Sequence, residues 1–153
     1  ISGFRYLSLS QFILGNRKTA LKTGEMVSAL RIPSQSTTGQ SSFLKLGARS
    51  YLVISISMAA LRLDVDKAGM ISTVALSIGA CSEVAIRMER VESALRGTPL
   101  ANACKRITQD LFAELAPIDD VRAPAQYRRD ASVEVVRRLL ADQQRYFVSE
   151  AKV

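Results

Sequence analysis

Between Ser42 and Ala80 apolar and polar side chains alternate with a period of two over three short runs, and that period restricts what the chain can become. In 42–47, Phe43 and Lys45 point one way while Leu44 and Leu46 point the other. In 61–65 the odd positions Leu61, Leu63 and Val65 are apolar, and Arg62 and Asp64 are not. In 70–80 the even positions Met70, Val74, Leu76, Ile78 and Ala80 form the apolar face. Asp66-Lys67-Ala68-Gly69 joins the last two runs as a polar turn, with a glycine available for positive φ. The reading is a hairpin plus a third strand, with one face ready to be covered.

The cover is expected to be helical, because everything after Cys81 reads as helix. Val84, Met88, Val91 and Leu95 step by three and four along one face, with Gly97 placed as a C-terminal cap and Pro99 blocking continuation. Leu100, Cys104, Ile107, Leu111 and Leu115 trace a second stripe that stops at Pro117. Val133, Val136, Leu140 and Phe147 line a third, longer helix. No β-helix-β alternation links the strands. The fold class is therefore α+β, an antiparallel sheet with helices packed on one face.

The N-terminal part is poorer in signal. Ser10 to Leu14 reads as a short helix capped by Ser10, Gly15-Asn16 as a turn, and Glu25–Ile32 as a strand ended by Pro33. Residues 34–41, SQSTTGQS, bury little and read as a linker. The expected organisation is thus 1–33, a linker at 34–41, and an α+β domain at 42–153. The chain opens on Ile1 rather than methionine, as expected of a processed product or a piece of something longer.

Composition removes several functions. With 0 histidines, a histidine base and imidazole-bound zinc are excluded for this chain alone. Cys81 and Cys104 are far apart and provide no metal or disulfide framework, which suits a reducing compartment and a cytoplasmic location. No apolar run reaches the length of a membrane span, so no membrane partner is expected. The net charge of +7 comes from scattered pairs such as Arg17-Lys18 and Arg137-Arg138. Without clustered arginines or tryptophan, nucleic acid is not an expected partner.

The candidate sites weaken on inspection. Asp64 to Gly69 begins like a calcium loop, but Ala68 and Ala75 stand where ligands are needed, so the hairpin turn prevails. Both cysteines read as structural, and Asp119-Asp120 as turn and cap residues. Lys45, in mid-strand and facing away from the core, reads by itself as a solvated lysine.

Taken together, several stretches resemble the FAD-binding subunit or domain of the molybdenum hydroxylases, the group of xanthine dehydrogenase, aldehyde oxidase and the medium subunit of carbon monoxide dehydrogenase. They are Gly15-Asn16-Arg17-Lys18-Thr19-Ala20-Leu21, Gly24-Glu25-Met26-Val27 leading to Ile32-Pro33, and Phe43-Leu44-Lys45-Leu46-Gly47-Ala48-Arg49. Leu95-Arg96-Gly97, Asp119-Asp120-Val121-Arg122-Ala123 and Tyr127-Arg128-Arg129 follow in order. The resemblance implies that 1–33 is the tail of the FAD domain and 42–153 a C-terminal domain like that of the carbon monoxide dehydrogenase flavoprotein. It implies FAD in the intact subunit, with Val27 against the isoalloxazine and Lys45 near the ring. It also implies partners carrying the molybdenum cofactor and iron–sulfur (2Fe-2S) clusters, and a route for electrons from those clusters through FAD to NAD or another acceptor. The glycine-rich loops that hold the pyrophosphate belong to an N-terminal FAD-binding region missing here, so this chain alone is expected to bind FAD weakly or not at all and to be inactive. The competing expectation is a non-catalytic module that docks subunits or uses its basic helices on an acidic partner or nucleic acid.

Overall fold

The computed structural model of the chain describes residues 3–150. The chain divides into two compact units, Ile1–Thr37 and Thr38–Val153.

In the first unit, helix α1 (Leu9–Phe12) is one turn long. Its N-cap is Ser8 rather than the expected Ser10. The reason is spacing: Gln11 lies three residues beyond Ser8, so the serine hydroxyl accepts from the Gln11 N–H while the Gln11 amide oxygen accepts from the Ser8 N–H. Strands β1 (Ile13–Gly15) and β2 (Lys18–Thr19) pair antiparallel across Asn16-Arg17, where Arg17 takes φ +56°. The expected strand 25–32 is not one. The backbone there has no ladder partner among the described residues, and Met26, Leu30 and Ile32 are 82%, 81% and 69% exposed. An alternating pattern makes a strand only when a neighbour accepts its hydrogen bonds. The turn before it is held by Glu25, whose carboxylate accepts from the Arg5 guanidinium in two places and from the Lys22 N–H. Those bonds hold the Glu25 carboxyl down at about 2, the Arg5 bond being the largest cause.

The second unit is a four-stranded antiparallel sheet covered on one face. Strands β3 (Gln40–Leu46), β4 (Ser57–Val65), β5 (Ile71–Gly79) and β6 (Ile86–Arg87) lie in that order. β3 includes Gln40 and Ser41, the last two residues of the expected linker. Leu61 and Leu63 on β4 pair with Leu76 and Val74 on β5, and all four are buried. The even phase read along 70–80 holds from Val74 onward. It breaks at a bulge, where Asp64 pairs with Thr73 but Val65 pairs with Ile71. The extra residue turns Ile71 into the core in place of Met70, and Ser72 donates back to the Asp64 carbonyl. The hairpin turn is as read: Gly69 has φ +75° and the Asp66 carboxylate accepts from the N–H groups of Ala68 and Met70.

The cover departs from expectation in two places. Residues after Cys81 do not go straight to helix, because Ile86–Arg87 first pairs with β5, and helix α2 runs only over Glu89–Leu95. Met88, Val91 and Leu95 remain fully buried, while Val84 lies before the strand and off the helix. The stripe 100–115 is not one α-helix but two 3₁₀ helices, Leu100–Arg106 and Gln109–Phe112. A three-residue repeat brings Ala103 and Phe112 inward and leaves Cys104 and Leu111 half-buried. Helix α3 (Ala125–Glu150) is as long as expected and lies across β3 and β4. Val136, Leu139 and Leu140 close the core against the inner sheet face, each burial contributing about 1.5–3 kcal/mol.

Candidate functional site

The outer sheet face carries the exposed chemistry. Register places Phe43, Ala60, Ser77 and Arg87 in one row across the four strands, with Lys45, Met58 and Gly79 in the next. Small side chains at Ala60, Ala75 and Ser77 floor a shallow trough of about 450 Å³ walled by Phe43, Arg62 and Arg87. Phe43 is 62% exposed above it. The three cations of this face have different partners. Arg87 pairs with the buried carboxylate of Glu92, which also accepts from the Leu76 N–H. Arg62 donates to the carbonyl of Thr38, and the Lys45 ammonium donates to the carbonyl of Val53 at 2.6 Å. A carbonyl dipole does not cancel a unit charge, so Lys45 keeps its positive field.

The other predicted position, Val27, lies in the first unit, within the irregular segment after Gly24, and is 51% exposed. Lys45 and Val27 therefore belong to different units, each with its side chain available to solvent.

The cysteines take core positions. Cys81 is fully buried, with its Sγ 3.2 Å from the Ser132 hydroxyl. Burial pushes the thiol of the half-buried Cys104 up.

Arg128 figures in the sequence only as part of the resemblance, and its buried role went unread. It is 3% exposed at the start of α3. Its Nη1 donates to the carbonyls of Ile56 and Ala80, at 2.9 and 3.4 Å, and its Nη2 donates to Asp120 at 2.6 Å. Asp120 also accepts from the backbone N–H groups of Arg122 and Ala123. The Arg122 N–H is the largest cause, ahead of the Arg128 and Arg122 guanidinium bonds, that holds this carboxyl well below the usual carboxylate range. Asp119 does what a cap residue should: its carboxylate accepts from the N–H of Ala125. The stretches Asp119–Ala123 and Tyr127–Arg129 thus act as one clamp on the loops at the sheet end. The signal available in sequence was the pairing of an acidic turn with an arginine doublet at the next helix start.

Residues 42–143 match the CO dehydrogenase flavoprotein C-terminal domain family. The chain belongs to that family. The chain is 25% identical, over an alignment of 149 positions that covers 93% of it, to a nicotinate dehydrogenase FAD-subunit from Eubacterium barkeri. It superposes on CO dehydrogenase from Oligotropha carboxidovorans with a TM-score of 0.74 and 27% identity over 84% of the chain. Quinoline 2-oxidoreductase from Pseudomonas putida 86 shares the fold, with a TM-score of 0.74 and 21% identity over 91% of the chain. The chain spans about half the length of these relatives: 49%, 44% and 48% respectively. The family and the α+β architecture agree with the resemblance drawn from the sequence.

Proposed function

We propose that this chain is part of the FAD-carrying subunit of a molybdenum-containing hydroxylase and supplies one wall of the flavin site. Residues 1–33 would be the tail of the FAD-binding region and the segment from 34 up to the start of β3 at Gln40 a linker, with the flavoprotein C-terminal domain following. The single observation that carries the reading is Lys45, an exposed ammonium on a rigid strand whose partner is a neutral carbonyl. Such a group fits the edge of a ring system that becomes anionic on reduction. Val27, half-exposed and aliphatic, suits contact with a ring face. FAD, when bound in the intact subunit, would supply the redox chemistry between iron–sulfur clusters and NAD or another acceptor.

The protein's own contribution is electrostatic and steric. Lys45 orients and favours negative charge, and Val27 excludes water from one ring face. Partners would be subunits or domains carrying the molybdenum cofactor and the iron–sulfur clusters, in the cytoplasm. Among the described residues no helix is long and apolar enough to cross a membrane.

Two measurements test the reading. Titrating the purified chain with FAD should show weak binding or none, and tight stoichiometric quenching of flavin fluorescence would count against it. In the intact subunit, Lys45→Ala should weaken FAD binding by up to about fivefold, the equivalent of about 1 kcal/mol for one exposed charge pair, and lower the flavin potential. No change in either removes Lys45 from the site.

A further inference from the structure

We propose that Gly47 and the backbone carbonyl of Val53 are a positioning device for the Lys45 ammonium. The geometry is independent of any cofactor. Its consequence for flavin rests on the reading of Lys45 given above.

A free lysine side chain samples many rotamers, and its charge is then spread over a wide volume. Here the ammonium is drawn back along the chain to the carbonyl of Val53, eight residues on, at 2.6 Å. The connection between β3 and β4 is shaped to present that oxygen. A Cβ placed on Gly47 would sit 2.4 Å from Val53 Cγ1 and 3.4 Å from the Arg49 carbonyl. Valine is branched at Cβ and its χ1 is stiff, so it does not simply rotate away. Relief requires Val53 to leave its χ1 well or to shift with its backbone, the unit whose oxygen holds the amine.

Two further features fix the loop. Arg49 Nε and Nη2 donate to the carbonyls of Tyr51 and Leu52, both at 3.1 Å. Three consecutive carbonyls, at Tyr51, Leu52 and Val53, therefore face cationic side chains. Leu52 takes φ +44°, in the left-handed region that side chains other than glycine rarely adopt. A loop held in such a conformation does so because its surroundings over-determine it. The arrangement gives Lys45 one direction and leaves its charge uncancelled, so Gly47 and Val53 are positioning residues acting through it.

The first test needs no flavin. In the purified 153-residue chain, acylation of Lys45 by an N-hydroxysuccinimide ester is compared by peptide mass spectrometry with that of Lys67, on the exposed turn between β4 and β5. Lys45 should react slowly in the parent. In Gly47→Ala its rate should rise by about three- to tenfold, as expected for loss of one solvent-exposed hydrogen bond with a net worth of about 1 kcal/mol. The parent rate should return in Gly47→Ala/Val53→Ala, which removes the colliding methyl group. Equal Lys45 rates in the parent and Gly47→Ala overturn the proposal. If Gly47→Ala does not fold, the double variant decides: it must fold and show the slow parent rate, and a fast rate or failure to fold overturns the proposal.

In the intact subunit, Gly47→Ala should shift the flavin midpoint potential and have no effect in a Lys45→Met background. A shift with Lys45→Met but none with Gly47→Ala overturns the positioning role alone. No shift with Lys45→Met defeats the flavin reading while the acylation result still decides the geometry.

Discussion

Replacing Arg128 by methionine is the sharpest test of how the second unit is held together. The guanidinium is nearly fully buried and joins three separated parts of the chain: Ile56 before β4, Ala80 after β5, and Asp120 in the turn before α3. Methionine keeps the apolar stem and removes the charge and its donors. Breaking a buried pair by deleting one partner costs about 3–5 kcal/mol. The low end applies here, because Asp120 is left with Arg122 and two backbone N–H groups and its side chain is 19% exposed. The expected loss is about 3 kcal/mol, or a fall of about 10 °C in the melting temperature for a domain of this size. Urea and thermal unfolding followed by far-UV circular dichroism measure it directly. A loss below about 1 kcal/mol would mean that Arg128 reaches water and that the clamp is incidental. A second readout separates the pair from plain packing. Asp120 is lowered from 3.8 in the folded chain, so its stabilisation is present above that pH and is lost as pH falls through the lower folded value. With Arg128 gone the folded value rises part of the way, held still by the Arg122 N–H. The gap between parent and variant should therefore hold level down to the variant's folded value, which lies below 3.8, and narrow as pH falls further. A gap that is constant with pH refutes the coupling.

Glu25 gives a second pH test, in the first unit. Its carboxyl is lowered from 4.5 to about 2, chiefly by Arg5, so its contribution is complete above 4.5 and disappears as pH falls through about 2. The amide resonance of Lys22, which donates to this carboxylate, should titrate with a midpoint near that lower value; a midpoint at an ordinary glutamate value would show that the pair does not form in solution. Gly39→Ala should destabilise the second unit by about 2 kcal/mol in urea titration, because Gly39 has φ +79° and an added Cβ would lie 2.6 Å from the Leu63 carbonyl, a backbone atom that cannot step aside. A neutral result would place β3 differently at its start.

What could be read from sequence follows how local the determining interaction is. The outward direction of Phe43 and Lys45 needed only the two-residue period, and the structure has both exposed. The turn at Asp66 to Gly69 was equally local. The bulge at Asp64/Val65 was not visible, since an extra residue is defined by the strand opposite and not by its own side chains. Leu100 to Leu115 misled for another reason: apolar spacings of three and four suit α and 3₁₀ turns alike, and the backbone chose the tighter form. Glu25 to Ile32 alternates like a strand, yet pairing decides whether it is one. Arg128 was hidden by its type. Arginine is rarely buried, and the carbonyls that make its burial tolerable lie 48 and 72 residues away.

Arg128 and Lys45 show two different uses of a cation in this domain. Arg128 has an anionic partner, three carbonyl acceptors and almost no solvent, so its charge is spent inside the fold. Arg87 is likewise balanced by Glu92, whose second task is to satisfy the Leu76 N–H at the sheet edge. Lys45 has one neutral acceptor and faces outward from a strand whose other side is locked in the core. Stability alone gains little from an exposed ammonium tethered to a carbonyl. A ligand that gains negative charge beside it would gain more, because neither the strand nor the tether has to reorganise when that charge appears.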